Sequence, residues 1–212
     1  MTLAGIEAAC AAHRLAVFGG FHPDPAEGLG RTLLMLAPAE PGFWPHVTAE
    51  PEFADGAPDP LDRWSARVIR SLAEGFGGTA FFPFGDPPFR PFYAWALRTG
   101  RAWASPVNFL VHDVAGLLVS YRGALALPEV LALPAPPASP CTGCAAPCRT
   151  ACPVGALGPA GYDVPACHAH LSTPGGRDCL TEGCRVRTTC PVSRGYARLP
   201  EQSAYHMRLF HR

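Results

Sequence analysis

Eight of the nine cysteines lie between Cys141 and Cys190. They form two runs of four: Cys141, Cys144, Cys148 and Cys152, then Cys167, Cys179, Cys184 and Cys190. Each run closes in Cys-Pro, at Pro153 and at Pro191. The N-terminus lacks a basic start followed by an apolar stretch and a cleavage site, so a cytoplasmic location is expected. In a reducing compartment a dense set of thiols points to metal binding or redox chemistry rather than to disulfides.

Two fours that each end in Cys-Pro match proteins holding two iron–sulfur clusters. In the bacterial run C-x2-C-x2-C-x3-C-P, three cysteines grip one cluster and the fourth grips the other. Here the second gap is one residue longer. A tight loop can turn three thiolates inward around a cubane, but it cannot supply the fourth corner without passing the cluster. The proline then fixes the chain direction and removes a backbone donor where the chain leaves. On this pattern Cys141, Cys144, Cys148 and Cys190 hold one 4Fe-4S cluster, and Cys152, Cys167, Cys179 and Cys184 hold the second. Four thiolates on an oxidised cluster leave a charge of about −2, which Arg149, Arg177, Arg185 and Arg187 would offset. Zinc is the competing ligand reading, because four-cysteine zinc sites also use closely spaced pairs. It would make the chain a zinc-stabilised structural or interaction protein. Cys10, on an alanine-rich helix face, reads as a small buried hydrophobe.

The charge pattern divides the chain. Residues 1–140 carry nine arginines and 13 acidic residues, a net −4, whereas residues 141–212 carry eight arginines and four acidic residues, a net +4. Just before the reversal, the thirteen residues from Pro128 to Pro140 include five prolines, which favour an extended connector. The expected organisation is an α+β domain over 1–127, a linker over 128–140 and a two-cluster domain over 141–212. All 17 basic residues are arginine, so no P-loop lysine, lysine Schiff base or pyridoxal-phosphate chemistry is available. The balanced total charge gives no reason to expect a nucleic-acid partner. No run of about 18 apolar residues occurs, so no membrane partner is expected.

In the first part, Thr2 caps an expected helix carrying Leu3, Ile6 and Cys10 on one face. Leu15–Phe18 and Thr32–Ala37 read as strands. Asp59 is an acceptor cap before Pro60, and Leu61, Trp64, Val68 and Leu72 then mark a helical face that Gly75 ends. Thr79–Phe82 reads as a strand and Phe92–Arg98 as a short helix. Val107–Val111 and Leu117–Leu127 are expected to pair antiparallel, turning near Asp113–Gly116.

The stretch from Cys141 to Pro191 resembles the ferredoxin-like domain of epoxyqueuosine reductases and, more distantly, of reductive dehalogenases. Those enzymes carry four cysteines ending in Cys-Pro, an isolated cysteine within R-C-x-x-Y-x-T, and a final G-C-x-x-C-x-x-x-C-P. The segment Ala166–Thr173 around Cys167 is similar to the middle piece in arrangement though not in most residue types, and Cys179, Cys184 and Cys190-Pro191 match the last with two extra residues in each gap. A looser likeness spans residues 79–127, where Asp86, Gly100, Trp103, Phe109–Val111 and Gly116 fall at roughly corresponding separations. The resemblance implies a nitroreductase-like domain that binds cobalamin, with Asp86 as proton donor and Val107, Phe109, Val111 and Gly116 beside the corrin. It also implies a redox partner protein as electron donor. Against the family pattern, Ser105-Pro106-Val107 stands where Gly-Lys-Asn is found, and queuosine chemistry is not expected. The chain is thus read as an electron-transfer protein passing single electrons to a partner or to a bound cofactor. A cobalamin-dependent reductase is the alternative.

Bland readings compete at several positions. Asp86, in Phe84-Gly85-Asp86-Pro87-Pro88, also fits a turn or helix cap. His22, His46 and His112 read as loop or strand-end residues. His168 and His170 flank a candidate ligand and could hydrogen-bond cluster sulfur, with at most one facing the cluster because residues two apart on a helix diverge; both read as solvated. Phe81, Phe82, Phe84, Phe89, Phe92, Tyr93 and Trp95 read as core.

Overall fold

The computed structural model describes residues 1–158 and 161–212. It begins with α1 (Leu3–Ala11), β1 (Leu15–Phe21), β2 (Thr32–Pro38), α2 (Phe43–Thr48) and α3 (Pro51–Ala54). Then come α4 (Pro60–Gly75), β3 (Thr79–Phe81), α5 (Phe92–Arg98), β4 (Ala102–Ala104), β5 (Leu110–His112) and β6 (Gly123–Leu127). The short strands β7 (Leu157–Gly158) and β8 (Gly161–Tyr162) precede α6 (Val164–Leu171), α7 (Arg177–Glu182) and α8 (Arg185–Thr188). The last two helices are α9 (Pro191–Gly195) and α10 (Pro200–Phe210). The architecture mixes helix with small antiparallel sheets. No helix among the described residues is long and apolar enough to cross a membrane.

The chain folds as two compact units, but neither is contiguous. The first unites Met1–Arg101 with Ser120–Pro137, the second Ala102–Val119 with Ala138–Arg212. A single cut at the proline-rich segment is therefore corrected by two observations. Val107, Val111 and Leu117 are buried in one cluster with Cys148 and Cys190, which draws residues 102–119 into the cysteine unit. The proline-rich segment, for its part, is docked rather than free. Leu131, 4 % exposed, donates its N–H to Thr32 Oγ1 at 3.0 Å, and its carbonyl lies 3.0 Å from His22 Nε2. Thr32 Oγ1 in turn donates to the Glu129 carbonyl at 2.8 Å.

The first unit is built on a sheet of order β1-β2-β6-β3. Every residue of β2 and β6 is buried, as central strands covered on both faces require. α4 packs on β6 and β3 through Leu61, Trp64, Val68, Ile69 and Leu72, the face expected from helical periodicity. Thr2 caps α1 as expected, accepting from the Gly5 N–H at 3.2 Å. Asp59 does not cap α4 with its side chain. It sits in the left-handed region (φ 50°) and offers its carbonyl to the N–H groups of Asp62 and Arg63 instead. Gly19 (φ 104°) interrupts the β1–β2 register, and a Cβ there would stand 2.7 Å from Thr99 Cβ. Only glycine lets α5 approach the strand so closely.

In the second unit β4 pairs with β5, Trp103 facing Val111. The expected pairing of Val107–Val111 with Leu117–Leu127 is not formed, apart from a bridge between His112 and Gly116. Asn108 in the left-handed region (φ 61°) turns the chain back onto β4 first, while β6 inserts between β2 and β3 of the other unit. The apolar run 117–127 has no alternation to reveal that it is broken, with Leu117 in one core and Leu125 in the other.

Candidate metal centre

Cysteines build the core of the second unit. Cys148 and Cys190 are buried with Val107, Val111, Leu117, Leu157 and Val186, and Cys141, Cys152 and Cys184 pack against that cluster. Local turns aim the first thiols. The Cys144 N–H bonds the Cys141 carbonyl at 3.2 Å, and Cys148 lies in the 3-10 turn Pro147–Arg149 entered through Ala146 at φ 50°. Cys184 and Cys190 occupy the N-cap positions of α8 and α9. In the second case Pro191 opens the helix, where its missing N–H costs nothing.

The eight thiols sort into two fours around separate cavities. One cavity is lined by Cys141, Cys144, Cys148 and Cys190, the other by Cys152, Cys167, Cys179 and Cys184. This is the partition read from the spacing, with Cys190 and Cys152 each lent to the opposite run. Electrostatic coupling follows the same sorting. Burial pushes the Cys141 thiol up, and Cys144, Cys148 and Cys190 push it further. Burial likewise raises Cys167, with Cys152 and Cys179 adding to the effect.

Among the described residues, no three or more His, Cys, Asp or Glu side chains converge as they would around one metal ion. Zinc thiolate sites hold four sulfurs at about 2.3 Å from a single point. Thiols that line a common cavity are donors of the type that both zinc and iron–sulfur groups take. Other contacts suit thiolate sulfur. The N–H groups of Ala146 and Ala156 point at Cys144 Sγ (3.4 Å) and Cys152 Sγ (3.3 Å). Burial pushes the Cys184 thiol up, against the backbone N–H groups of Arg187 and Val186 and the Arg187 guanidinium. The Tyr162 hydroxyl donates to Cys167, and burial together with that bond holds the phenol well above its ordinary range.

Of the four arginines expected to offset the clusters, Arg149 acts on Cys148 and Arg187 on Cys184. Arg187 is half-buried, its guanidinium 4.7 Å from the Phe109 ring centroid. Arg185 lines the second cavity but pairs with Asp178, and Arg177 lies exposed at the start of α7.

The residues that the resemblance placed beside a corrin lie among the cysteines. Val111 lines the first cavity, Val107 is fully buried in the same cluster, and Phe109 meets Tyr162 edge-on with centroids 5.6 Å apart. Gly116, at φ 55°, passes over Cys190: a Cβ would stand 2.5 Å from Ser193 N and 3.0 Å from Cys190 Sγ. Asp86 belongs to the other unit, in a shallow exposed hollow with Phe81, Phe82, Phe84, Phe89 and Arg90. The aromatic patch is thus split, with Phe92 and Trp95 in the core and Phe89 and Tyr93 exposed.

His168 stacks on Phe210 (centroids 4.5 Å apart) and its Nδ1 lies 2.8 Å from His211 Nδ1. His170 corrects the expectation that both histidines are solvated. It lines the second cavity with its Nε2 buried. His22 bonds Leu131, His46 lies in α2 beside Glu50, and His112 is fully buried at the end of β5. Spacing gives no sign of Tyr162, whereas His170 is one of the two histidines flanking Cys167, of which at most one is expected to face the site. No family model, curated protein or solved structure matches the chain.

Proposed function

We propose that this protein is an iron–sulfur electron carrier, with Cys141, Cys144, Cys148 and Cys190 holding one 4Fe-4S cluster and Cys152, Cys167, Cys179 and Cys184 the other. The observation that supports this most is the exchange of Cys152 and Cys190 between two quartets that each surround a cavity. Clusters so held supply single-electron oxidation and reduction with no bond made or broken in the protein. The chain's own residues set the conditions. Val107, Val111, Leu117 and Val186 keep water from the thiolates. Arg149 and Arg187 place positive charge beside Cys148 and Cys184, which favours the more negative reduced state.

The partner is an acidic redox protein in this reading. Ala151, Thr188 and Thr189 line an open hollow with Arg185 and Arg194, each within a residue or a few of a ligand cysteine from either set. With Arg185 paired to Asp178, Arg194 supplies the positive charge that would steer an acidic carrier toward the ligand cysteines.

The test uses full-length protein purified without oxygen. The reading expects broad visible absorption that bleaches with dithionite and returns when a one-electron acceptor is added. A colourless protein carrying two zinc ions overturns it.

A further inference from the structure

Buried polar atoms in native proteins almost always have a hydrogen-bond partner, and one without a partner calls for an explanation. His170 Nε2 is such an atom. Its position suggests the missing partner. His170 follows Cys167 by three residues on α6, so the two share a helix face, and Leu171 completes that face at 3 % exposure. All three line the cavity of the second quartet.

The imidazole is held there by its surroundings. The His170 carbonyl accepts from Thr173 Oγ1 at 2.7 Å and from the Thr173 N–H at 2.9 Å, which fixes the end of α6. Gly175 lies beside the ring, its position within ordinary van der Waals reach of His170 Cε1. The other walls of the cavity are apolar apart from Arg185, which can only donate, and Met207, whose thioether is a weak acceptor. Sulfur is the one acceptor chemistry that the cavity is built to hold.

We infer that His170 donates an Nε2–H hydrogen bond to sulfur of the cluster held by Cys152, Cys167, Cys179 and Cys184, and so raises that cluster's reduction potential above its partner's. This rests on the iron–sulfur reading above. Hydrogen bonds to sulfur stabilise the reduced, more negative state, and such bonds are among the levers a protein has on cluster potential. The first cavity has no equivalent, since its lining side chains besides cysteine are Ser105, Pro106, Val111, Leu117, Pro140, Ala146, Pro147, Pro191 and Val192. Ser105 Oγ there accepts from the Val107 N–H at 3.4 Å, so the first cavity has one hydroxyl but no imidazole. The asymmetry makes the second cluster the electron's resting place.

Redox titration of anaerobic full-length protein, followed by visible absorption and by electron paramagnetic resonance, separates the outcomes. Wild type should give two reduction waves. In His170→Leu one wave should move to lower potential while the other stays and iron content is unchanged. His170→Gln, whose amide can still donate, should restore part of the shift. The coupling of an exchangeable proton to the reduced cluster should be present in wild type and absent in His170→Leu. Two unmoved waves in His170→Leu at full iron content overturn the inference while leaving the iron–sulfur reading intact. Wild-type protein without reducible iron and sulfide overturns both.

Discussion

The two units of this protein stay folded for different reasons. The first has a sheet whose central strands are buried along their whole length, covered by a sixteen-residue helix with a continuous apolar face. The second has two-stranded ribbons and short helices, and its core cluster counts Cys148 and Cys190 among seven buried side chains. Hydrophobic burial suffices for one, whereas the other wraps its apolar side chains around thiols that need something to bind. If the thiols hold the clusters proposed above, the second unit draws on metal binding for stability where the first draws on burial.

The largest effect that could break this comparison is metal removal. Chelation under reducing conditions should abolish amide-exchange protection across residues 102–119 and 141–212 and leave it in β1, β2 and β6. Uniform loss or uniform retention would remove the distinction. Next in size are single substitutions of opposite type. Cys190→Ser should cost about half of the iron, because one corner of one quartet is lost. Leu34→Ala should leave iron content unchanged yet destabilise the first unit by about 2–5 kcal/mol, since Leu34 is fully buried in β2. Denaturant melts paired with iron assays would check both, and iron loss in Leu34→Ala would contradict the account.

Gly116→Ala gives a sharper probe of the second unit. The added methyl must displace Ser193 and Cys190, so loading of the first quartet should fall while the sheet unit melts as in wild type. Normal loading would show that the close approach does not matter. The smallest effect concerns the ninth cysteine. Burial first, and Glu7 second, push the Cys10 thiol up to about 12, from 9.0. The unfolded chain ionises Cys10 near pH 9 while the folded chain keeps it protonated, so its contribution is complete below pH 9 and is lost as pH rises toward 12. The first unit should therefore lose up to about 1.4 kcal/mol per pH unit in that window, and Cys10→Ala should flatten the slope. Urea melts of both proteins between pH 8 and pH 10 measure it; equal slopes would refute the assignment.

Local signals in the sequence survived folding where burial and turn chemistry act over a few residues. Thr2 capped its helix, the face of α4 followed its periodicity, and β2 and α5 lie where their apolar runs end at glycine or proline, whereas β1 continues past Gly19 and Gly20 to Phe21. The cysteine partition was legible because only certain spacings let a loop turn three thiols inward. Long-range choices were not legible. Nothing in the run Leu117–Leu127 says that its two halves enter different cores, and the prolines of 128–140 do not reveal that Thr32 and His22 pin the backbone beside them. Tyr162 reaches Cys167 through placement that spacing along the chain does not encode, whereas the three-residue step from Cys167 to His170 on α6 was legible once the segment read as helix.

The most direct measurement is the iron and acid-labile sulfide content of full-length protein made without oxygen. Two quartets of thiolates, each around a cubane, require about eight irons and about eight sulfides per chain, with absorption that dithionite bleaches. Stoichiometric zinc without labile sulfide, or thiols that titrate freely in the native protein as purified, would contradict the account.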